Sequence, residues 1–184
     1  MAFAGSGEIA RHQLKSGGEL VVAHAQPEDA TGIIDYLNRV GGETDFLTFG
    51  ANEFWLSVDQ EEAFLRAVQP DLGWMLKGTV DGRMVASLSL LRTSKPRLKH
   101  IAELGISVLK DSWGQNIGRR LCEAAFALAR QSGVRKINLR VREDNSRAIR
   151  IYEKLGFERI GLSTRAYFIE GRFHSEVLMG LDVD

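Results

Sequence analysis

Apolar positions along the chain alternate between two periods, and each change of period marks an element. Residues 20–23, Leu-Val-Val-Ala, form a short apolar run that predicts a strand. Pro27, Glu28 and Asp29 then open a helix, since proline and acids suit a first turn. Ile33, Ile34, Leu37 and Val40 share one face of it, and Gly41-Gly42 stops it. Ser57 and Gln60 make a capping-box pattern ahead of Ala63, Phe64, Ala67 and Val68, which predicts a short amphipathic helix ending before Pro70. Two runs, 74–80 and 84–90, are joined by Asp81-Gly82, a pair that supplies the positive φ angles of a tight turn and so predicts a β-hairpin.

A strand over 101–109 follows, then a loop and a long helix reaching Arg130, with Ile117, Leu121, Ala124, Ala125 and Leu128 as its core stripe. Gly133 ends that helix, and residues 136–141 alternate apolar and polar as a half-buried strand does. A helix over 146–155 closes at Gly156, with Phe157 placed to pack back on its last turn. Strands at 158–162 and 173–181 flank a turn at Glu170-Gly171. Residues 1–18, glycine-dotted and without a period, read as a flexible N-terminal tail, which leaves 19–184 as the domain. The strand-helix-strand unit over 101–141 requires a parallel pair, so the fold class is mixed α/β with helices on both faces of one sheet.

Composition adds exclusions. With 184 residues, 44% hydrophobic and 26% charged, the chain suits one globular domain. Lysine plus arginine balance aspartate plus glutamate at 24 each, so no overall field favours nucleic acid or an anionic membrane, and anion recognition must be local. Cys122 is the one cysteine and cannot form an internal disulfide; with no histidine near it in sequence it reads as a small core residue. No apolar run approaches the ~20 residues of a membrane span, and the first residues are too short for a signal-peptide core, which leads us to expect a cytoplasmic protein.

Two segments carry chemistry. In the loop 110–118, Gly114 and Gly118 allow close backbone approach, and helix N-terminal amides beside Arg119 and Arg120 complement a phosphate or pyrophosphate. An ordinary βα turn with solvated arginines is the alternative. The loop lacks the Gly-Lys-Ser/Thr ending of a nucleotide P-loop, and no full Gly-x-Gly-x-x-Gly occurs, which argues against ATP hydrolysis and dinucleotide binding. In the second segment, 145–157, Asn145 can cap a helix or offer its amide to a ligand, while Tyr152 shares a face with Ala148 and Ile149 and taken alone is a half-buried core aromatic.

Together, in this order and separation, the two segments resemble the GNAT N-acetyltransferase superfamily, over residues 20–181 and most specifically over 103–157. Gly118 matches the last glycine of the family's cofactor loop and Gly114 and Gln115 its free positions. Trp113 stands where Arg or Gln is usual, and Asn116 where the middle glycine is usual. Asn145, Tyr152 and Leu155-Gly156-Phe157 match without departure. The resemblance implies a mostly antiparallel sheet whose parallel pair splays open to admit acetyl-CoA. It implies that backbone groups of Ile106 and Val108 pair with the pantetheine arm as an added strand would, with Ser107 between them counted among the cofactor-binding residues. The pyrophosphate would sit on the amides of Gly114, Gln115, Asn116, Ile117, Gly118 and Arg119, with Trp113 counted among the cofactor-binding residues. Asn145 would bond the arm from the other side, and Tyr152 would act as general acid for the leaving thiolate, with no metal.

Glu103 is the candidate base, directly or through water; its alternative is an ion pair with a nearby arginine. The function expected is transfer of acetyl to a primary amine of a small molecule, peptide or protein. A CoA-sensing or structural module without turnover, and a nucleotide-phosphate binder using the same turn, are the competing readings. Phe46, Phe49, Phe54 and Trp55 either line the acceptor side with segment 165–174 or form a satellite core. By family habit the last strands or the 165–174 segment could join two copies.

Overall fold

Asp81 and Gly82 take φ angles of 49° and 79°, the left-handed pair that a two-residue hairpin turn requires. The computed structural model describes residues 7–68 and 71–183. Its elements in chain order are strands Glu8–Gln13 (β1) and Glu19–His24 (β2), helices Ala30–Gly41 (α1) and Val58–Ala67 (α2), strands Gly73–Val80 (β3), Arg83–Arg92 (β4) and Ile101–Val108 (β5), helix Ile117–Gln131 (α3), strand Lys136–Arg142 (β6), helix Ser146–Lys154 (α4), and strands Glu158–Ile169 (β7) and Arg172–Asp182 (β8). The strands form one sheet ordered β1-β2-β3-β4-β5-β6-β8-β7. Every neighbouring pair is antiparallel except β5 with β6, whose connection through α3 makes them parallel. That parallel ladder runs only from Ile101↔Lys136 through Ala102↔Ile137 to Glu103↔Asn138 and stops, so beyond Glu103 the two strands splay.

Alternation along the strands assigns the two faces. Leu20, Val22, Leu76, Ala86, Leu88 and Leu90 point to one side, where α3 buries Ile117, Leu121, Cys122, Ala125, Phe126 and Ala129 against them. Ile149 of α4 and Phe157 complete that main core, with Phe157 stacked edge-on between Phe126 and Tyr152. The Phe157 N–H closes the last turn on the Tyr152 carbonyl at 3.0 Å while Gly156 takes φ 94°, as expected of a glycine-terminated helix. On the other face α1 and α2 bury Ala30, Ile33 and Leu65 over Met75 and Met84. The Ser57–Gln60 capping box starts α2 with both of its reciprocal bonds. Gly41 is where a side chain would fail: a Cβ there would lie 2.4 Å from the Gly50 carbonyl oxygen, so the aromatic segment 44–55 closes directly onto the end of α1.

Two expectations are corrected. Residues 8–13 are not tail: β1 pairs with β2 from Glu8↔Ala23 to Gln13↔Glu19, and Leu14 enters the main core. Residues 1–6 of the expected tail lie outside the described residues. The strands expected at 158–162 and 173–181 also run longer than that and take in segment 165–174, because β7 and β8 continue as one long hairpin to a turn at Glu170 and Gly171, both at positive φ. Among the described residues no helix is long and apolar enough to cross a membrane.

Candidate active site

The opening between β5 and β6 inherits its chemistry from strand geometry. Successive residues of an antiparallel pair aim their backbone groups at opposite edges. The Leu109 N–H goes to the Val85 carbonyl of the β4 side, so Ile106 and Val108 turn theirs toward the gap that β6 has left. Ser107 does not join them. It lies opposite Ser87 in the β4 ladder, and its hydroxyl is 2.9 Å from that of Tyr36 in α1. The Val108 carbonyl receives the Trp113 indole N–H at 2.7 Å, which fixes the ring at the mouth of the gap.

From Trp113 the chain must turn sharply into α3. Gly114 does so at φ 83°, and Asn116 takes the left-handed region at φ 63°, ψ 15°, the geometry the usual middle glycine would supply. Asparagine is among the few residues with a Cβ that tolerate it. As N-cap of α3 its side chain makes no capping bond, so the first amides, from Ile117 to Arg119, meet the gap without an internal partner. The Ile117 side chain is buried, leaving its amide as what it can offer. At Gly118 a Cβ would sit 3.6 Å from Ile106 and Val108, an ordinary contact, so the protein's own packing does not require glycine there. Arg119 and Arg120 both pair with Glu123, at 2.8 and 3.0 Å.

A ring of bonds holds this loop. Glu43 accepts from the Lys110 N–H at 2.6 Å, and Asp111 binds Arg39 at 3.0 Å and Arg83 at 2.7 Å. The Arg83 bond above all, with one from Ser112, keeps the Asp111 carboxyl below the usual range. Gln115 accepts a hydrogen bond from the Ser16 hydroxyl in the β1–β2 turn, so the segment first read as tail touches the loop itself.

Across the gap, Asn145 caps α4 by accepting the Ala148 N–H at 3.1 Å. The Tyr152 hydroxyl has no hydrogen-bond partner among the described residues, and burial pushes its phenol above the usual value, with the nearby Cys122 adding to the effect. Cys122 itself is pushed up to about 12 by burial, which keeps it a neutral core thiol. Arg147 stacks its guanidinium 4.3 Å from the Trp113 ring centroid, joining the two segments over the opening.

Glu103 lies on the opposite face of the sheet from Tyr152, and there it pairs with Arg140 at 3.2 Å. Arg140 also donates to the buried Glu176 at 3.2 Å. Beside it, Arg142 is buried, donates twice to Asp144 and once to the Asp45 carbonyl, and lies 4.6 Å from the Phe46 ring centroid, which pins segment 44–55 to β6. Phe49 and Phe54 meet edge-on at 5.6 Å, while Trp55 stays 81% exposed, so the aromatics split between packing and an open rim. Arg140, Arg142, Glu176 and Tyr36 were not anticipated as site residues. The signal was present for two: period-two alternation in β6 puts Asn138, Arg140 and Arg142 on one face.

The sequence profile of the acetyltransferase (GNAT) family matches residues 43–157, from the end of α1 through α4. The chain belongs to the GNAT family. The crystal structure of a GNAT-family acetyltransferase from Streptococcus pneumoniae superposes with a TM-score of 0.85 at 30% identity, over 90% of this chain and 99% of that one. The yncA protein from Salmonella typhimurium, solved with its cofactor acetyl-CoA, shares the GNAT fold at a TM-score of 0.79 and 20% identity, over 90% and 94% of the two chains. N-alpha-acetyltransferase RimI of Mycobacterium tuberculosis is 35% identical over 94 residues, 51% of this chain. That match spans about half of the relative's length, 55%.

Proposed function

We propose that this GNAT-family chain is an acetyl-CoA-dependent N-acetyltransferase that acts on a primary amine with both substrates bound together. The observation that carries the reading is the α3 entry: Asn116 and Gly114 in left-handed backbone, uncapped amides, and a Gly118 whose missing side chain the protein's own packing does not need. Such a cradle fits a pyrophosphate. The strand edge at Ile106 and Val108 continues from it and fits the amide-bearing arm of the same molecule. The amide nitrogen of Asn145, whose oxygen is committed to the cap, is free to reach that arm from the β6 side.

Acetyl-CoA, when bound, supplies an acetyl group activated as a thioester. The chain's own residues then manage protons. Glu103 takes one from the acceptor ammonium, directly or through water, and the Tyr152 hydroxyl holds one for the leaving sulfur. Burial holds Tyr152 above the usual phenol range, so its hydroxyl carries a proton at neutral pH and can give it up only as charge develops on the sulfur.

The test is thiol release on a panel of amines with acetyl-CoA, with Tyr152→Phe as the comparison. Turnover by the native protein and a fall of about 10²- to 10⁴-fold in the variant are expected. Full activity in Tyr152→Phe would remove it from the acid role, and CoA binding without thiol release on any amine would leave a binding module instead.

A further inference from the structure

Two charged groups face the acceptor side of the splayed gap with capacity left over. Arg140 uses Nε for Glu103 and Nη1 for Glu176, and its Nη2 has no partner among the described residues. Glu176 is 6% exposed, so it is out of reach of a ligand and serves to anchor the guanidinium. Arg142, the other guanidinium on this face, is fully engaged by Asp144 and the Asp45 carbonyl. Among the described residues Glu103 has Arg140 as its one ion-pair partner, and both side chains are more than half exposed, so that pair is weak and readily exchanged. Between Glu103 and Ser107, Gly105 leaves the same face of β5 without a side chain, and the Ser89 hydroxyl, 2.8 Å from where a Cβ would lie, forms a polar floor beside the pair.

We propose that the acceptor is a free α-amino acid, its ammonium received by Glu103 and its carboxylate by Arg140, in place of the ion pair that joins those two side chains. The inference rests on the transferase reading above and names its substrate class. Glu103 and Arg140 touch each other, so the ligand that replaces their contact must carry its two opposite charges almost adjacent. An α-amino acid carries them on a single carbon. A peptide N-terminus brings the ammonium but an uncharged amide where the carboxylate should be, and a polyamine places a second cation against Arg140. Insertion of the zwitterion also frees Glu103 from its arginine at the moment a proton must be taken, so the base is available only when the correct acceptor is seated.

The experiment compares L-alanine, L-methionine and L-phenylalanine with their carboxamides in thiol release at saturating acetyl-CoA, for the native protein, Arg140→Met and Arg140→Lys. Calorimetric titration of the same amino acids into protein holding CoA gives an activity-independent readout, and thermal melting checks that each variant is folded. The acids should exceed their amides by about 10- to 100-fold in kcat/KM, the worth of a charge-assisted bond. Arg140→Met should bring that ratio to about one and abolish the binding heat, and Arg140→Lys should restore part of both. Amides that match the free acids, or a preference that survives Arg140→Met, would overturn the inference while leaving the transferase reading intact. If no amine of either series releases thiol while another amine of the broad panel does, the inference is overturned and the transferase reading stands; if no amine of the whole panel does, the transferase reading fails, and absence of binding heat then overturns the recognition as well.

Discussion

Glu61 is 2% exposed in α2, has no hydrogen-bond partner among the described residues, and is held above the usual carboxylate range by burial. A folded value raised above the unfolded one favours folding at low pH and withdraws that contribution as pH rises through the folded value. At neutral pH the group therefore opposes folding. Glu61→Gln should raise the melting midpoint by roughly 1–3 °C at pH 7 and by less at pH 4, measured as paired melts at the two pH values. A midpoint lowered equally at both would show that the carboxylate has a partner. At the same scale, Asn116 shows how far a single residue can be read. Sequence alone makes it an exception to the loop pattern, and only its backbone angles show that it serves the glycine's purpose.

At the scale of elements, legibility followed amphipathic contrast. The helices α3 and α4 and the hairpin of β3 with β4 were legible because each buries one face, or turns on a pair that few other residues could replace. Strand β7 was read too short because nearly every residue in it is exposed, so no alternation separates an inner from an outer face. Strand β1 was missed for a related reason. Its sequence Glu-Ile-Ala-Arg-His-Gln has little apolar signal, and its charges are paired within the hairpin, Arg11 with Glu8 and Glu19. Glu176 was not legible because its meaning depends on β6 and β8 being neighbours, a non-local fact, whereas Arg140 carried a local signal in the alternation of β6. Removing residues 1–14 should cost about 2 kcal/mol or more, since Leu14 leaves the core and β2 loses its outer partner. Denaturant titration of the truncated chain checks this, and an unchanged midpoint would return the segment to the status of a tail.

For the whole molecule, the proposed cofactor binds a gap that exists only in the folded sheet, so its binding shifts the unfolding equilibrium by mass action. At a concentration about 100 times its dissociation constant, a ligand of the native state contributes roughly 2.7 kcal/mol, or about 5–11 °C for a chain of this size. Acetyl-CoA and CoA should both produce such a shift and ATP should not. A shift with ATP alone would favour the nucleotide-phosphate reading.

The three-rung contact between β5 and β6 has a mechanical side as well. Five strands lie on one side of it and three on the other. The protein is in this respect a pair of plates joined along a short seam, with α3 and the Trp113–Arg147 stack as its lashings. A seam that short ends its pairing at Glu103, the position we propose for receiving the acceptor, so the same economy of pairing that opens the gap leaves that residue at the last point where backbone pairing joins the two plates.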